Sequence, residues 1–323
     1  MVVESRRSAN AGRRRRRRQR RRRVALAGGS VFALTALVVL AFVFPPSFLS
    51  PASEQPKPST RSGDPVPVIV EEPVARLAIT GDTGMRNAAV EATAKQMQIE
   101  SEREGEPYDA LVILGDLIYP NGDADLTDAS VTEPFASVLE DAVLVPTLGN
   151  HDIDSGEGRE IMSRLGRDTD WYVQQIGPVR LIALDSNRVG NKQQLNWLRG
   201  VLAEKQPQGT WTIAAMHHPP YSAGDHGSSM NVRRKWVPLF EAADVPLVLA
   251  GHDHDYQRST PQNGITYVIS GGGSKLRETG RKDFTAVSAT VFHFVDLLVY
   301  DDRLEGRAID HDGELIDGFT IRR

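Results

Sequence analysis

Cysteine is absent from all 323 residues. The chain can therefore form neither disulfides nor a zinc–thiolate site. Export stays open, because a chain of this length can bury a core that stands without disulfides. Positive charge is also scarce over most of the chain. Residues 1–23 hold 12 arginines, so only 26 of the 38 basic side chains lie beyond Arg23, against 41 of the 42 acidic ones. A body so rich in carboxylates repels phosphate backbones, which argues against nucleic acid as a partner. No internal repeat is present.

The arginines therefore need an explanation at the N-terminus. Residues 13–23 are an arginine run broken by Gln19, and residues 24–44 follow with no charge over 21 positions. At about 1.5 Å per residue such a helix would reach roughly 30 Å, one bilayer core. The arginines would stay on the cytoplasmic side, with the body of the chain outside. We expect residues 1–23 to be a cytoplasmic tail, 24–44 a transmembrane signal anchor with the membrane as partner, 45–73 a proline-rich linker and 74–323 the folded domain. The alternative is a cleaved signal that releases a secreted protein. Against it, the apolar stretch exceeds the usual signal core of about 7–15 residues, and Pro45-Pro46 follows it with no clean cleavage site.

Beyond the linker one pattern recurs: a short apolar run, then a polar cluster that usually opens with glycine. Runs at 76–80, 110–114, 143–148, 210–216 and 245–250 lead to Gly81-Asp82, Gly115-Asp116, Gly149-Asn150-His151-Asp152, His217-His218 and Gly251-His252-Asp253-His254. Apolar runs of that length read as buried strands. Helix-like segments lie between several of them, at 87–103, 131–141, 192–204 and 232–242, and later runs at 265–269, 290–300 and 319–322 read as strands. The expected fold is mixed α/β: a four-layer αββα sandwich of two mixed sheets flanked by helices. Such sheets place ligands at the carboxyl ends of their strands.

The polar clusters share one chemistry. Carboxylate, imidazole and amide oxygen are donors for hard and borderline cations, and Asp82, Asp116, Asn150, His217, His252 and His254 supply all three types at strand ends. An aspartate after a strand is ordinarily a turn former or helix cap. Five such clusters in order, each after an apolar run, form a metal-ligand pattern.

These motifs resemble those of the calcineurin-like metallophosphoesterases, and within them the purple acid phosphatases, including the tartrate-resistant type. The resemblance covers about residues 76–275 and includes the segments 171–185 and 263–271. Most calcineurin-like enzymes carry Asp-x-His at the first motif. This chain has Asp82-Thr83-Gly84, and it has Gly115-Asp116-Leu117-Ile118-Tyr119, in which purple acid phosphatases use the tyrosine as a ligand. A phenolate is a hard anionic donor suited to Fe(III). The resemblance implies that one metal takes Asp82, Tyr119 and His254, that the other takes Asn150, His217 and His252, and that Asp116 bridges them. It implies Fe(III) at the tyrosine site and Zn, Mn or Fe(II) at the second.

The activity it implies is hydrolysis of a small phosphate monoester by direct attack of a metal-bound hydroxide on phosphorus, with no protein nucleophile. A phosphodiesterase on nucleotides or lipid head groups would use the same motifs, and a non-catalytic binding module could stand on the same fold. The leaving oxygen needs a proton or charge stabilisation, which suits histidine. His151 matches a family active-site histidine. His226 lies nine residues after His217, where plant-like members place another. Asp152 is expected to orient His151 or cap the next helix, His218 has no assigned role, and His293 and His311 match no motif. The larger plant members carry an extra N-terminal β domain, for which residues 45–73 are too short.

Overall fold

A computed structural model describes residues 71–323. The expected tail and anchor and most of the expected linker lie outside the described residues. Among the described residues no helix is long and apolar enough to cross a membrane.

In chain order the strands are β1 (Ala75–Thr80), β2 (Ala110–Ile113), β3 (Val143–Pro146), β4 (Tyr172–Ile176), β5 (Val179–Ala183), β6 (Trp211–Ala215) and β7 (Leu247–Ala250). The later ones are β8 (Tyr256–Ser259), β9 (Thr266–Ser270), β10 (Thr285–Ala289), β11 (His293–Val299), β12 (Arg303–Asp310) and β13 (Leu315–Arg322). They form two mixed sheets, in the orders β13-β12-β11-β1-β2-β3 and β10-β8-β9-β7-β6-β5-β4. In the first sheet β1, β2 and β3 run parallel. In the second β5, β6, β7 and β9 do. The parallel strands of both sheets carry the motif loops at their carboxyl ends.

The apolar runs of β2 and β7 are continuous because both faces of these strands are buried. Leu77 and Ile79 of β1 point into the space between the sheets, where they share a core with Leu181, Ile213, Leu249 and Val295. Ala78, between them, joins an outer core with Leu111, Ile113 and the helix α1 (Ala88–Glu104). That helix turns Val90, Ala94 and Met97 inward, a spacing of four and three residues that puts them on one face. Asn87 caps it by accepting from Val90 N–H, and Gly105, at φ 68°, closes it in a left-handed turn. On the second sheet Ile182, Ala214 and Val248 pack against Leu198, Trp236 and Phe240 of the other helical layer. The architecture is the expected four-layer sandwich.

Two expected helices are broken. The segment 131–141 keeps only a wide turn at Asp128–Thr132 and the short α2 (Ala136–Leu139), since Pro134 between them has no N–H to continue a helix. Likewise 232–242 divides at Trp236 into α5 (Met230–Lys235) and α6 (Val237–Ala242), with Pro238 starting the second, after α3 (Gly158–Arg164) and α4 (Lys192–Ala203).

Candidate metal centre

Asp82 follows β1, Asp116 follows β2 and Asn150 follows β3, while His217 follows β6 and His252 follows β7. The two sheets thus bring these loops together at one end of the sandwich. Asp82, Asp116 and His252 sit at φ 59°, 51° and 73°. Non-glycine residues adopt this left-handed region at a cost, and such strain collects at functional sites.

The seven expected ligand residues form two overlapping groups. Around the first, the Tyr119 hydroxyl donates to Asp116 Oδ2 at 2.9 Å, lies 3.4 Å from Asp82 Oδ1, and is 3.2 Å from His254 Nε2. His254 Nε2 is 3.4 Å from Asp82 Oδ1. Around the second, His217 Nε2 lies 3.2 Å from Asn150 Oδ1, 3.4 Å from Asp116 Oδ1 and 3.1 Å from His252 Nδ1. Each oxygen of Asp116 therefore faces a different group.

This arrangement fits cations. His217 Nδ1 is 2.8 Å from the Leu114 carbonyl, so it carries the proton and Nε2 presents a lone pair. That lone pair faces a carboxylate oxygen and an amide oxygen that also accept. Donor atoms about 2.1 Å from one cation stand roughly 3.0–3.4 Å apart, the spacing found here. Asp82 and Asp116 are 0% and 1% exposed, and among the described residues neither pairs with lysine or arginine.

The electrostatics agree. Burial, then Asp116, pushes the Asp82 carboxyl well above the usual carboxylate range. Burial opposes ionisation of Asp116 too, yet His217 and the His151 N–H hold it below its ordinary value. Burial, then Asp82 and Asp116, drives the Tyr119 phenol far upward, so its proton would leave only beside a strong cation. His252 is held far below its ordinary value by burial and His217, and His254 is pushed down to about 3 by burial and Lys275. Both rings are thus neutral, as a metal ligand must be.

Gly84, where the wider family pattern has histidine, cannot hold a side chain here. The 82–84 turn is zipped to the next motif by Gly84 N–H to Asp116 O at 3.1 Å and Tyr119 N–H to Gly84 O at 3.2 Å. A Cβ at Gly84 would lie 2.6 Å from Ile118 N and 2.7 Å from Leu117 C. Tyr119 instead brings its hydroxyl to the group from the neighbouring loop.

His151 and His226 approach from different sides. His151 packs edge-on to Tyr119 at 4.6 Å between ring centres, its Nδ1 2.6 Å from the Pro120 carbonyl. His226, exposed, stacks on His252 at 4.4 Å and 29°. His218 also abuts His252, its Nδ1 2.9 Å from Ser186 Oγ, and burial with His217 pushes it down to about 3. His293 is fully buried against Tyr256, away from these groups, and His311 stacks on Phe292.

Asp152 neither orients the His151 ring nor caps a helix. Its carboxylate accepts Ile118 N–H at 3.0 Å and Gly149 N–H at 2.7 Å, tying the second motif loop to the third. Burial, then Asp116, pushes it up to about 8. Ser222 and Lys275, which also face these loops, carry no motif signal in the sequence. Asp253 does carry one, as an acid enclosed between two expected histidine ligands in the Gly251-His252-Asp253-His254 motif.

Comparison with known proteins agrees with the fold. The family model for calcineurin-like phosphoesterases matches residues 75–256. Human tartrate-resistant acid phosphatase type 5 is 27% identical over 248 residues, which cover 65% of this chain and 76% of that protein. A Rhodococcus erythropolis protein named a probable cyclic nucleotide phosphodiesterase is 34% identical over 200 residues, covering 56% and 64%. Two Mycobacterium tuberculosis proteins are 33% identical over 111 residues, and this chain spans 21% of their length. The structure of purple acid phosphatase PPD1 from yellow lupin seeds shares the fold at a TM-score of 0.68 and 22% identity, covering 78% of this chain and 54% of that one. With the family match spanning more than half of its residues, the chain belongs to the calcineurin-like phosphoesterases.

Proposed function

We propose that this protein is a dinuclear, metal-dependent phosphoric monoester hydrolase of the acid phosphatase kind, acting on small phosphate esters. The convergence of seven donor side chains on two adjoining groups that share Asp116 carries this reading. Asp82, Tyr119 and His254 would hold one cation, Asn150, His217 and His252 the other, and Asp116 both. Bound there, the two cations would acidify a water for attack on phosphorus and offset charge on the leaving oxygen. His151, with Nδ1 against the Pro120 carbonyl, keeps Nε2 free to hold a proton for the leaving oxygen. His226 is the second candidate for that work.

The test is hydrolysis of p-nitrophenyl phosphate by the full-length protein, purified without chelator, beside Asp116→Ala. Loss of more than about 100-fold in the variant is expected, since ligand-shell changes of lesser kind already cost that much. Equal rates in the two proteins, or a metal-loaded wild type that turns nothing over, would sink the reading. The similarity to the Rhodococcus protein makes the diester the informative control. Faster turnover of bis(p-nitrophenyl) phosphate than of the monoester would reassign the chain as a diesterase.

We infer Fe(III) on the Tyr119 side from the phenol donor, with Zn, Mn or Fe(II) opposite. The expected signature is visible absorption that Tyr119→Phe bleaches; an active, colourless, iron-free protein would overturn the iron assignment alone. We also infer that residues 24–44 anchor the protein in the cytoplasmic membrane with 74–323 outside. The arginine run and the 21 uncharged residues after it support this. Full-length protein that leaves the membrane fraction in alkaline carbonate would contradict it.

A further inference from the structure

Asp253 lies between the two histidines of the last motif yet turns away from both metal-ligand groups. It is 1% exposed, and a carboxylate so buried is costly unless its oxygens are used. Both are used by one loop. Oδ1 accepts the backbone N–H of His226 at 2.7 Å, and Oδ2 accepts the Ser222 hydroxyl. Ser222 Oγ in turn accepts Gly224 N–H at 2.9 Å and Gln257 Nε2–H at 3.0 Å. Gln257 Oε1 takes Ala223 N–H at 2.8 Å, and its amide is anchored on Asp255 at 2.9 Å. The backbone N–H groups of Ala223 and His226 and the Ser222 hydroxyl are thus fixed to side chains of the 253–257 segment, and the Gly224 N–H is fixed to that hydroxyl. The approach is close enough to require glycine: a Cβ at Gly224 would stand 2.7 Å from Asp253 Cγ.

The consequence falls on His226. Its ring is exposed, and among the described residues no side-chain hydrogen bond holds it; it keeps its place by stacking on His252, by an edge contact with His254 and through its own backbone. That backbone is pinned by the residue next to His252. Any shift of the His252 loop carries Asp253 with it, so the His226 ring stays in register with the ligand it stacks on.

We propose that Asp253 is a positioning residue: its buried carboxylate holds His226 over the metal-ligand groups so that the ring can serve the leaving oxygen. The proposal rests on the phosphatase reading above. Its chemistry makes the effect depend on the leaving group. A p-nitrophenolate departs without a proton, whereas an alkoxide needs one, and a placed general acid contributes about 10²–10⁴-fold where it is needed.

The experiment uses full-length wild type, His226→Ala, Asp253→Ala, Asp253→Asn and the double Ala variant, with glycerol 2-phosphate and p-nitrophenyl phosphate as substrates and metal content measured on each. Asp253→Ala is expected to lower kcat on glycerol 2-phosphate by roughly 10-fold or more. Its effect on p-nitrophenyl phosphate should be several times smaller, with metal content unchanged. The double variant should be no slower than His226→Ala, because the two residues act as one unit. Asp253→Asn keeps an oxygen for the His226 N–H and should restore most of the alkyl-phosphate rate. Equal losses on both substrates, lost metal, or multiplying effects in the double variant would overturn the proposal. Should Asp253→Ala fail to fold, Ser222→Ala removes the donor to Oδ2 and must show the same leaving-group dependence, or the proposal fails. A wild type inactive on both substrates would instead refute the phosphatase reading.

Discussion

Stripping the metals should cost this protein much of its thermal stability, and the structure sets the scale. Asp82 and Asp116 lie at 0% and 1% exposure, and no lysine or arginine pairs with them among the described residues. The His217 Nε2 lone pair faces those of Asn150 Oδ1 at 3.2 Å and Asp116 Oδ1 at 3.4 Å. A cation converts each of these repulsive approaches into a shared attraction in the folded state only. Ligand held at 100 times its dissociation constant adds about 2.7 kcal/mol per site, so two sites add roughly 5 kcal/mol. For a domain of this size about 1 kcal/mol moves Tm by 2–4 °C, which predicts a drop of roughly 10–20 °C on metal removal. The assay is calorimetry on protein stripped with dipicolinate, confirmed metal-free by elemental analysis, beside the same protein reloaded. Metal-free protein that melts within about 2 °C of the reloaded sample would refute the reasoning. The buried carboxylates would then be held by protein hydrogen bonds alone.

Gly84→Ala should destabilise by about 1–3 kcal/mol, since the added carbon meets backbone atoms that cannot swing away, and it should lower kcat by displacing Tyr119. Unchanged melting and activity would show that the 82–84 turn can open without consequence. His293, fully buried, is pushed down to about 4 by burial from its ordinary 6.5. The unfolded chain therefore binds this proton first: stability is complete above pH 6.5, falls as the pH drops, and stops falling near 4. The loss amounts to about 3 kcal/mol. Denaturant titrations of wild type and His293→Gln between pH 7 and 4.5 should diverge by up to that amount, and parallel curves would count against the assignment.

Much of the fold was legible because the strands that carry the site are buried on both faces. β1 is buried along its whole length and β2 likewise, so β2 and the 77–79 stretch of β1 read as apolar runs that stop just before an expected ligand. The apolar pattern does not mark β8, β10 or β12. β8 reads Tyr-Gln-Arg-Ser, β10 is only half-buried throughout, and β12 alternates buried with half-buried positions while its Arg303 and Glu305 pair with each other. These antiparallel strands are held by ladder pairing with neighbouring strands rather than by their own pattern.

Residue types and their order settle the chemistry available: which donors exist, where they stand along the chain, the glycine at position 84 and the tyrosine that answers it. Those are local facts, written in residue types next to apolar runs. Tertiary structure alone decided what each donor faces. Tyr119 meets His254 across 135 positions, and His151 N–H reaches Asp116 across 35. Asp152 spends its carboxylate on two loops rather than on His151, and Asp253 spends its own on the loop of His226. A carboxylate's role depends on which N–H groups the packed sheets bring within about 3 Å of it, and no local pattern encodes that distance.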